Sequence, residues 1–219
     1  MIGSQIGAPV ASSRARTGVR RATAFALAAV AVASLAAAPA VAATTSAPTA
    51  PSGAVTLTTT TVDKPWYSVE RFYLGLLNCT RTGGWVLSDG TCRGYGSGRY
   101  SAYVPPIAYS YGISDKVARP YAKLLAVKNL CTHFYGGTDP GSRLRRAGYT
   151  RWTWAENIGC RDGYSSAKAA VLASHLRFQS EKSTNGGHWK NIKNAKYRSV
   201  GIGVWRYGTR TRLVTDFYG

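Results

Sequence analysis

Three histidines and nine Asp or Glu residues are the groups with which this 219-residue chain can move protons or hold a metal ion. His188 follows the Gly186-Gly187 pair and precedes Trp189, with Glu181 seven residues upstream. An imidazole within reach of a carboxylate is suited to ligation or proton transfer, because its charge changes near neutral pH and a neighbouring acid tunes that change. The same run also reads as an ordinary polar turn, and its neighbours alone do not decide between the two. His133 comes directly after Cys131-Thr132 at the end of an expected helix, where it can project into a cleft. Glu156 is an acid inside an aromatic, apolar stretch from Trp152 to Ile158. There it is either a structural acid held by an ion pair or a member of a site. His175 falls beside Val171, Leu172 and Phe178 on a helical pattern and reads as a core histidine.

The elements that must position these groups follow from the apolar periodicity. Val69, Phe72, Tyr73, Leu76 and Leu77 predict a helix over Trp66–Asn78 with one buried face. Ser114 is the expected N-cap of a second helix running to about Leu130, with Pro120 as a source of a kink or a late start. Ser142 is the expected cap of a short helix from Arg143 to Ala147 that stops at Gly148, with Arg143, Arg145 and Arg146 as its basic cluster. Ser165-Ser166 precede a helix from Ala167 to about Gln179, and Trp189–Ile192 is either a short helix or extended. Val200–Trp205 and Arg212–Tyr218 read as two strands of a hairpin joined by Tyr207–Thr211. Gly201 and Gly203 in the first of them mark a place where another segment packs close to the backbone. Helices followed by an antiparallel pair define an α+β domain rather than an alternating parallel fold. The Gly94–Gly98 run lacks the flanking strand and helix of a phosphate-binding loop. Asn78-Cys79-Thr80 matches the glycosylation sequon only in form.

Export shapes the rest of the reading. Arg14, Arg16, Arg20 and Arg21 precede an uncharged Ala/Val/Leu run, and Ala40-Val41-Ala42 supplies a small-x-small cleavage pattern. Residues 1–42 are therefore expected to be a signal peptide, 43–62 a disordered Thr/Ala/Pro-rich linker, and 63–219 the folded domain of a secreted, extracellular protein. No transmembrane segment is expected after cleavage. Four of the 28 basic residues and none of the nine acids lie in 1–42, so cleavage lowers the net charge from +19 to +15. That charge favours anionic partners, namely an acidic cell-wall polymer or a lipid surface, and its scatter along the chain gives no reason to expect a specific nucleic acid. Four cysteines in an exported chain predict two disulfides. Three pairings are possible, and Cys79–Cys92 with Cys131–Cys160 is favoured because each bridge then staples a loop without apolar periodicity. No C-x-x-C spacing supports a metal–thiolate site.

The order of short motifs resembles the CAP superfamily (cysteine-rich secretory proteins, antigen 5, pathogenesis-related 1), and in particular bacterial SCP-domain proteins. The residues that carry it are Val69–Asn78 ending in Leu-Leu-Asn, Pro105–His133, and Arg143-Leu144-Arg145-Arg146-Ala147-Gly148-Tyr149. They continue with Ala155-Glu156-Asn157-Ile158, Gly187-His188-Trp189-Lys190-Asn191-Ile192, and Gly201-Ile202-Gly203-Val204 with the terminal aromatic strand. Ala155 stands where the family has Gly. The resemblance implies a three-layer α-β-α sandwich and a cleft holding two His and two acids, which here are His133, His188, Glu156 and Glu181. Glu181 is matched through its spacing from Phe178. Such a set suits a divalent ion such as zinc, bound by neutral imidazole nitrogens, with a Glu either ligating directly or orienting a His. A metal-dependent extracellular hydrolase would use Glu156 or Glu181 as general base. The chain has no H-E-x-x-H and no nucleophilic Ser or Cys in a recognisable motif, so a binding role is the expectation.

Overall fold

The computed structural model describes residues 64–219. The expected signal peptide and linker lie outside the described residues. Helix α1 (Tyr67–Arg81) buries Tyr73, Leu74, Leu76 and Leu77, the face set by the three- and four-residue spacing of its apolar side chains. Two short strands, β1 (Trp85–Val86) and β2 (Cys92–Arg93), pair antiparallel after it, and the Cys79–Cys92 disulfide ties them to α1. Strand β3 (Ala108–Tyr109) leads into a helix in three parts: α2 (Tyr111–Ile113), a π-helical turn (Ser114–Ala118) and α3 (Arg119–Val127).

This helix starts earlier than the sequence predicts. Ser110 is its N-cap, accepting from the Ile113 N–H, and Ser114 lies inside it. Pro120 is accommodated by the π-helical turn, because a wider turn relieves the clash and the missing donor of an interior proline. The Ser114 hydroxyl has another task. It accepts the Ile202 N–H at 2.9 Å on the edge of the central sheet.

Helix α4 (Pro140–Arg146) also starts earlier, at an Asp139 cap, with Ser142 as the third residue of a reciprocal capping box. Strand β4 (Trp154–Asp162) was not expected at all. Its Trp-Ala-Glu-Asn-Ile-Gly sequence alternates too weakly to read as a strand, and it becomes one by pairing along its whole length. Helix α5 (Ala167–Ser180) has Ser166 as N-cap, and after a 3₁₀ turn (Glu181–Thr184) comes α6 (Gly187–Lys193), which settles Trp189–Ile192 as helical. Strands β5 (Ser199–Tyr207) and β6 (Arg210–Tyr218) form the predicted hairpin with longer strands and a tighter turn, Gly208-Thr209.

The central sheet has the order β3-β5-β6-β4, antiparallel except for β3 against β5. Val200, Ile202, Val204, Leu213 and Phe217 point to the face covered by α1 and α5. Val214 and Ile158 point the other way, onto Ala118, Tyr121, Ala122 and Leu125 of the kinked helix. Two apolar layers with a sheet between them make the three-layer α-β-α sandwich. Gly201 and Gly203 are needed on the second face: a Cβ at Gly203 would sit 2.2 Å from the Ala118 backbone, and one at Gly201 2.3 Å from Ile113 Cγ2. The second disulfide joins Cys131 to Cys160, so the favoured pairing is the one formed. Asn78 is held inward by the Ile107 backbone and Thr80 is buried, so the sequon is part of the fold. Among the described residues no helix is long and apolar enough to cross a membrane.

Candidate functional site

The site lies on the outer edge of the sheet, because β4 is the edge strand and successive residues of a strand point to opposite faces. Glu156 faces the kinked-helix layer and Asn157 faces the α5/α6 layer. Each secures one histidine. The loop after α3 brings His133 to Glu156, with Nδ1 2.8 Å from Oε1, six residues beyond the helix end where the sequence places it. On the other face, the Asn157 amide donates to the His188 carbonyl at 3.1 Å and accepts from Asn191 at 2.8 Å. A cleft of about 440 Å³ opens over this edge, and His133, Glu156, Glu181 and His188 all line it. The four residues implied by the motif resemblance thus share one cavity.

The two imidazole–carboxylate pairs are built differently. Glu156 is buried and sits between two donors, His133 on one oxygen and Arg143 Nη2 on the other at 2.6 Å. Arg143 also donates to the His133 carbonyl at 3.0 Å and stacks its guanidinium 3.5 Å from the Tyr121 ring centre. Directly opposite Glu156 in the sheet register is Asp216, fully buried, with no hydrogen-bond partner on either oxygen among the described residues. Burial first, and the nearby Glu156 charge second, push the Asp216 carboxyl well above its ordinary range and favour its protonated form.

Glu181 grips His188 twice, through Nδ1 at 2.8 Å and through the backbone N–H at 3.0 Å. The turn that allows this is tight. Asn185 is left-handed, and a Cβ at Gly186 would lie 2.6 Å from the Glu181 carboxylate. The His188 ring stacks on Phe178 with centroids 4.3 Å apart. Partial burial of Glu181 opposes its ionisation, but the hydrogen bonds and charge of His188 outweigh it and hold the carboxyl below its usual value. An ionised carboxylate only accepts, so His188 donates through Nδ1–H, and in the neutral ring that leaves Nε2 as the lone pair. His133 faces a carboxylate in the same way, and neither Nε2 has a hydrogen-bond partner among the described residues.

His175 is the histidine that stays out of the site. It is fully buried, and burial lowers its pKa to about 3, so it is neutral. It contacts Thr80 at 2.8 Å, and Thr80 donates to Gln179 at 3.1 Å. Gln179 bonds both backbone groups of Val86 and so clamps the small hairpin to α1 and α5.

Two cations that sequence reasoning passed over hold the cleft wall. Arg81 is buried with no carboxylate partner among the described residues and donates to the carbonyls of Pro105, Ile192, Asn194 and Tyr197, with burial lowering its pKa to about 10. Lys193 donates to Thr80, Arg81 and Ala102 carbonyls, and burial with the nearby Arg81 charge lowers its pKa to about 8. Together they fix the end of α6, the helix that carries His188 and Asn191. The only signal in the sequence was an Arg in the last turn of an otherwise buried helix, where a cation suits the dipole.

As a metal site the arrangement offers two oriented imidazoles. Both carboxylates are engaged with their histidines, and among the described residues no three His, Cys, Asp or Glu side chains converge as a metal-holding group.

Comparison with solved structures finds similarity to an extracellular protein containing a SCP domain from Bacillus anthracis, at 22% identity and a TM-score of 0.40 over 52% of this chain. The chain spans 34% of that protein's length. An outer surface protein from Borrelia burgdorferi matches at 13% identity and a TM-score of 0.48, covering 70% of this chain and 93% of that one. NaASP2, solved with Zn²⁺, matches at 15% identity and a TM-score of 0.44, covering 68% of this chain and 78% of that one. No protein-family model and no curated protein sequence matches the chain.

Proposed function

We propose that this is a secreted CAP-like binding domain whose edge-strand cleft holds a divalent cation, zinc by preference, through His133 and His188. The observation that carries this reading is the pairing itself. Two imidazoles on one cleft each give Nδ1–H to a separate carboxylate, which fixes the tautomer, aims Nε2 and raises its basicity. Borderline-soft Zn²⁺ accepts imidazole nitrogen readily, and the positions left open would take water or an anionic ligand atom. Bound there, the ion would supply Lewis acidity to such a ligand. Arg177 lines the same cleft and gives an anionic ligand a second partner. The chain's own residues orient, charge and shield the site, and no side chain in it is placed as a nucleophile.

Calorimetric titration of the purified domain with Zn²⁺ tests this. One site is expected in the wild type, with affinity falling by at least tenfold in His133→Ala and in His188→Ala. Equal zinc binding by both variants and the wild type would show the pairs to be structural braces. A screen of peptide, ester and peptidoglycan substrates should give no turnover sensitive to Glu156→Gln; Glu156-dependent hydrolysis would replace the binding reading with a catalytic one.

A further inference from the structure

One end of the sheet carries a basic surface that takes no part in the histidine cleft. A cavity of about 530 Å³ lies where the chain enters β4, leaves β6 and passes from α6 into β5. Arg151, Lys196 and Arg198 line it with exposed side chains, beside Thr153, Ala195 and Gly219. Among the described residues no carboxylate lies within ion-pair distance of these three cations, and every ion pair is made elsewhere. Like charges gathered without an acid repel one another, so their backbone has to hold them together. It does so by hydrogen bonds between the three segments. Arg198 N–H donates to the Tyr218 carbonyl at 3.0 Å, and Gly219 N–H donates to the Thr153 carbonyl at 3.0 Å. Arg151 N–H donates to the Tyr218 hydroxyl at 2.8 Å, and Lys196 N–H to the Asn194 side chain at 2.9 Å. Each cation is therefore anchored at its root and unpaired at its tip. Trp152 adjoins the cavity in sequence and, at 84% exposed, is the most exposed large apolar side chain among the described residues. The Arg145 guanidinium stands 5.9 Å from its ring centre. An indole left in water between unpaired cations packs nothing within the fold and is available for contact.

We propose that this surface binds a phosphodiester-linked polyol chain, with one phosphate among Arg151, Lys196 and Arg198 and the adjoining repeat passing over Trp152 toward Arg145. Two guanidinium forks and an ammonium match the several acceptor oxygens of a phosphate, and the Thr153 hydroxyl adds an uncharged donor. A chain is indicated rather than a lone phosphate because Trp152 and Arg145 continue the surface past the cavity. A single-stranded nucleic acid would call for successive aromatic platforms for its bases, and this surface has one indole. The proposal does not rest on metal in the histidine cleft, since the two cavities have no lining residue in common.

Titration calorimetry at low ionic strength with a short poly(glycerol phosphate) oligomer tests it. The oligomer should bind more tightly than glycerol 3-phosphate, and its binding should weaken at least tenfold as salt rises to about 1 M, where the Debye length is about 3 Å. Arg151→Gln/Lys196→Gln/Arg198→Gln alters exposed side chains and should weaken binding at least tenfold. Arg93→Gln/Lys123→Gln/Lys168→Gln removes the same charge from other exposed positions and should bind nearly as the wild type does. Trp152→Ala should weaken the oligomer and leave glycerol 3-phosphate unchanged. His188→Ala should bind the oligomer as the wild type does whether or not it takes zinc, so failure of either reading is distinguishable from failure of the other. The proposal fails if the oligomer does not bind or if the two triple variants lose binding equally. It fails also if polyglutamate of equal charge binds as tightly, or if single-stranded DNA of equal charge binds more tightly than the oligomer.

Discussion

The two histidine–carboxylate pairs show the same contact, an Nδ1 to carboxylate distance of 2.8 Å, built by opposite means. His133–Glu156 joins a loop to a strand 23 residues away, and its carboxylate is buried under a guanidinium with the buried Asp216 behind it. His188–Glu181 closes within one turn of seven residues, without a second cation, over a stacked phenyl ring. The first pair belongs to the core and should fail with it. The second is a local device and should be removable with little cost to the fold.

The sharpest way to break the first pair is Arg143→Met. It keeps the volume of the stem but leaves Glu156 buried with only His133 as donor, beside Asp216. Stranding one partner of a buried ion pair costs about 3–5 kcal/mol. Denaturant unfolding should therefore show the largest loss of stability of any substitution considered for the cleft. A loss below about 1 kcal/mol would mean that Glu156 is reached by solvent and that the two pairs are alike.

Asp216 distinguishes the pairs by pH. Its folded-state pKa is raised, so between about 3.9, the unfolded value, and the folded value the native state keeps a proton that the unfolded state has released. This acid's contribution therefore declines as pH rises through that window. Asp216→Asn keeps the shape without the titration. The variant should be more stable than the wild type at neutral pH, because Asn needs no proton to stay uncharged there. The gain should shrink to nothing below about pH 4. A variant less stable at neutral pH would mean that Asp216 is ionised against Arg143.

What could be read from the chain follows the same division between local and long-range. The Gly186-Gly187 turn and Glu181 seven residues before His188 are neighbours, so the sequence shows both the pair and the means of closing it. The cores of α1 and α5 were legible because their apolar residues repeat at helical spacing, and the glycines of β5 announced the close approach of Ala118. The partners of Glu156 were not legible. Arg143 reads as one of three cations at a helix end, and Asp216 as one acid in a strand; only the β4–β6 register makes them neighbours. Strand β4 itself was hidden because Glu156 and Asn157 occupy positions where a buried strand would normally be apolar. The misplaced helix starts have a related cause. Ser114 and Ser142 have the right side chains for caps, but Ser110 and Asp139 lie one turn earlier, and the displaced hydroxyls bond elsewhere.

Glu181→Gln is the smallest of the three effects and the one that isolates the local pair. The carboxylate accepts from the His188 ring and from its backbone, and Gln retains one acceptor oxygen. Because Glu181 is held below its ordinary pKa, its contribution is present above the unfolded value of about 4.3 and is lost as pH falls through the folded value. The expected loss at neutral pH is about 0.5–1 kcal/mol, as for pairs with substantial solvent access, and it should vanish in acid. Asp216→Asn and Glu181→Gln should thus differ from the wild type with opposite signs at neutral pH and converge on it in acid. The Gln side chain can also present its amide N–H to His188, which frees Nδ1 to lose its proton and turns Nε2 into the donor. Zinc affinity should then fall more than stability does. If stability drops by several kcal/mol instead, the Gly186 turn depends on this carboxylate as the sheet depends on Glu156, and the two pairs are equivalent parts of one core.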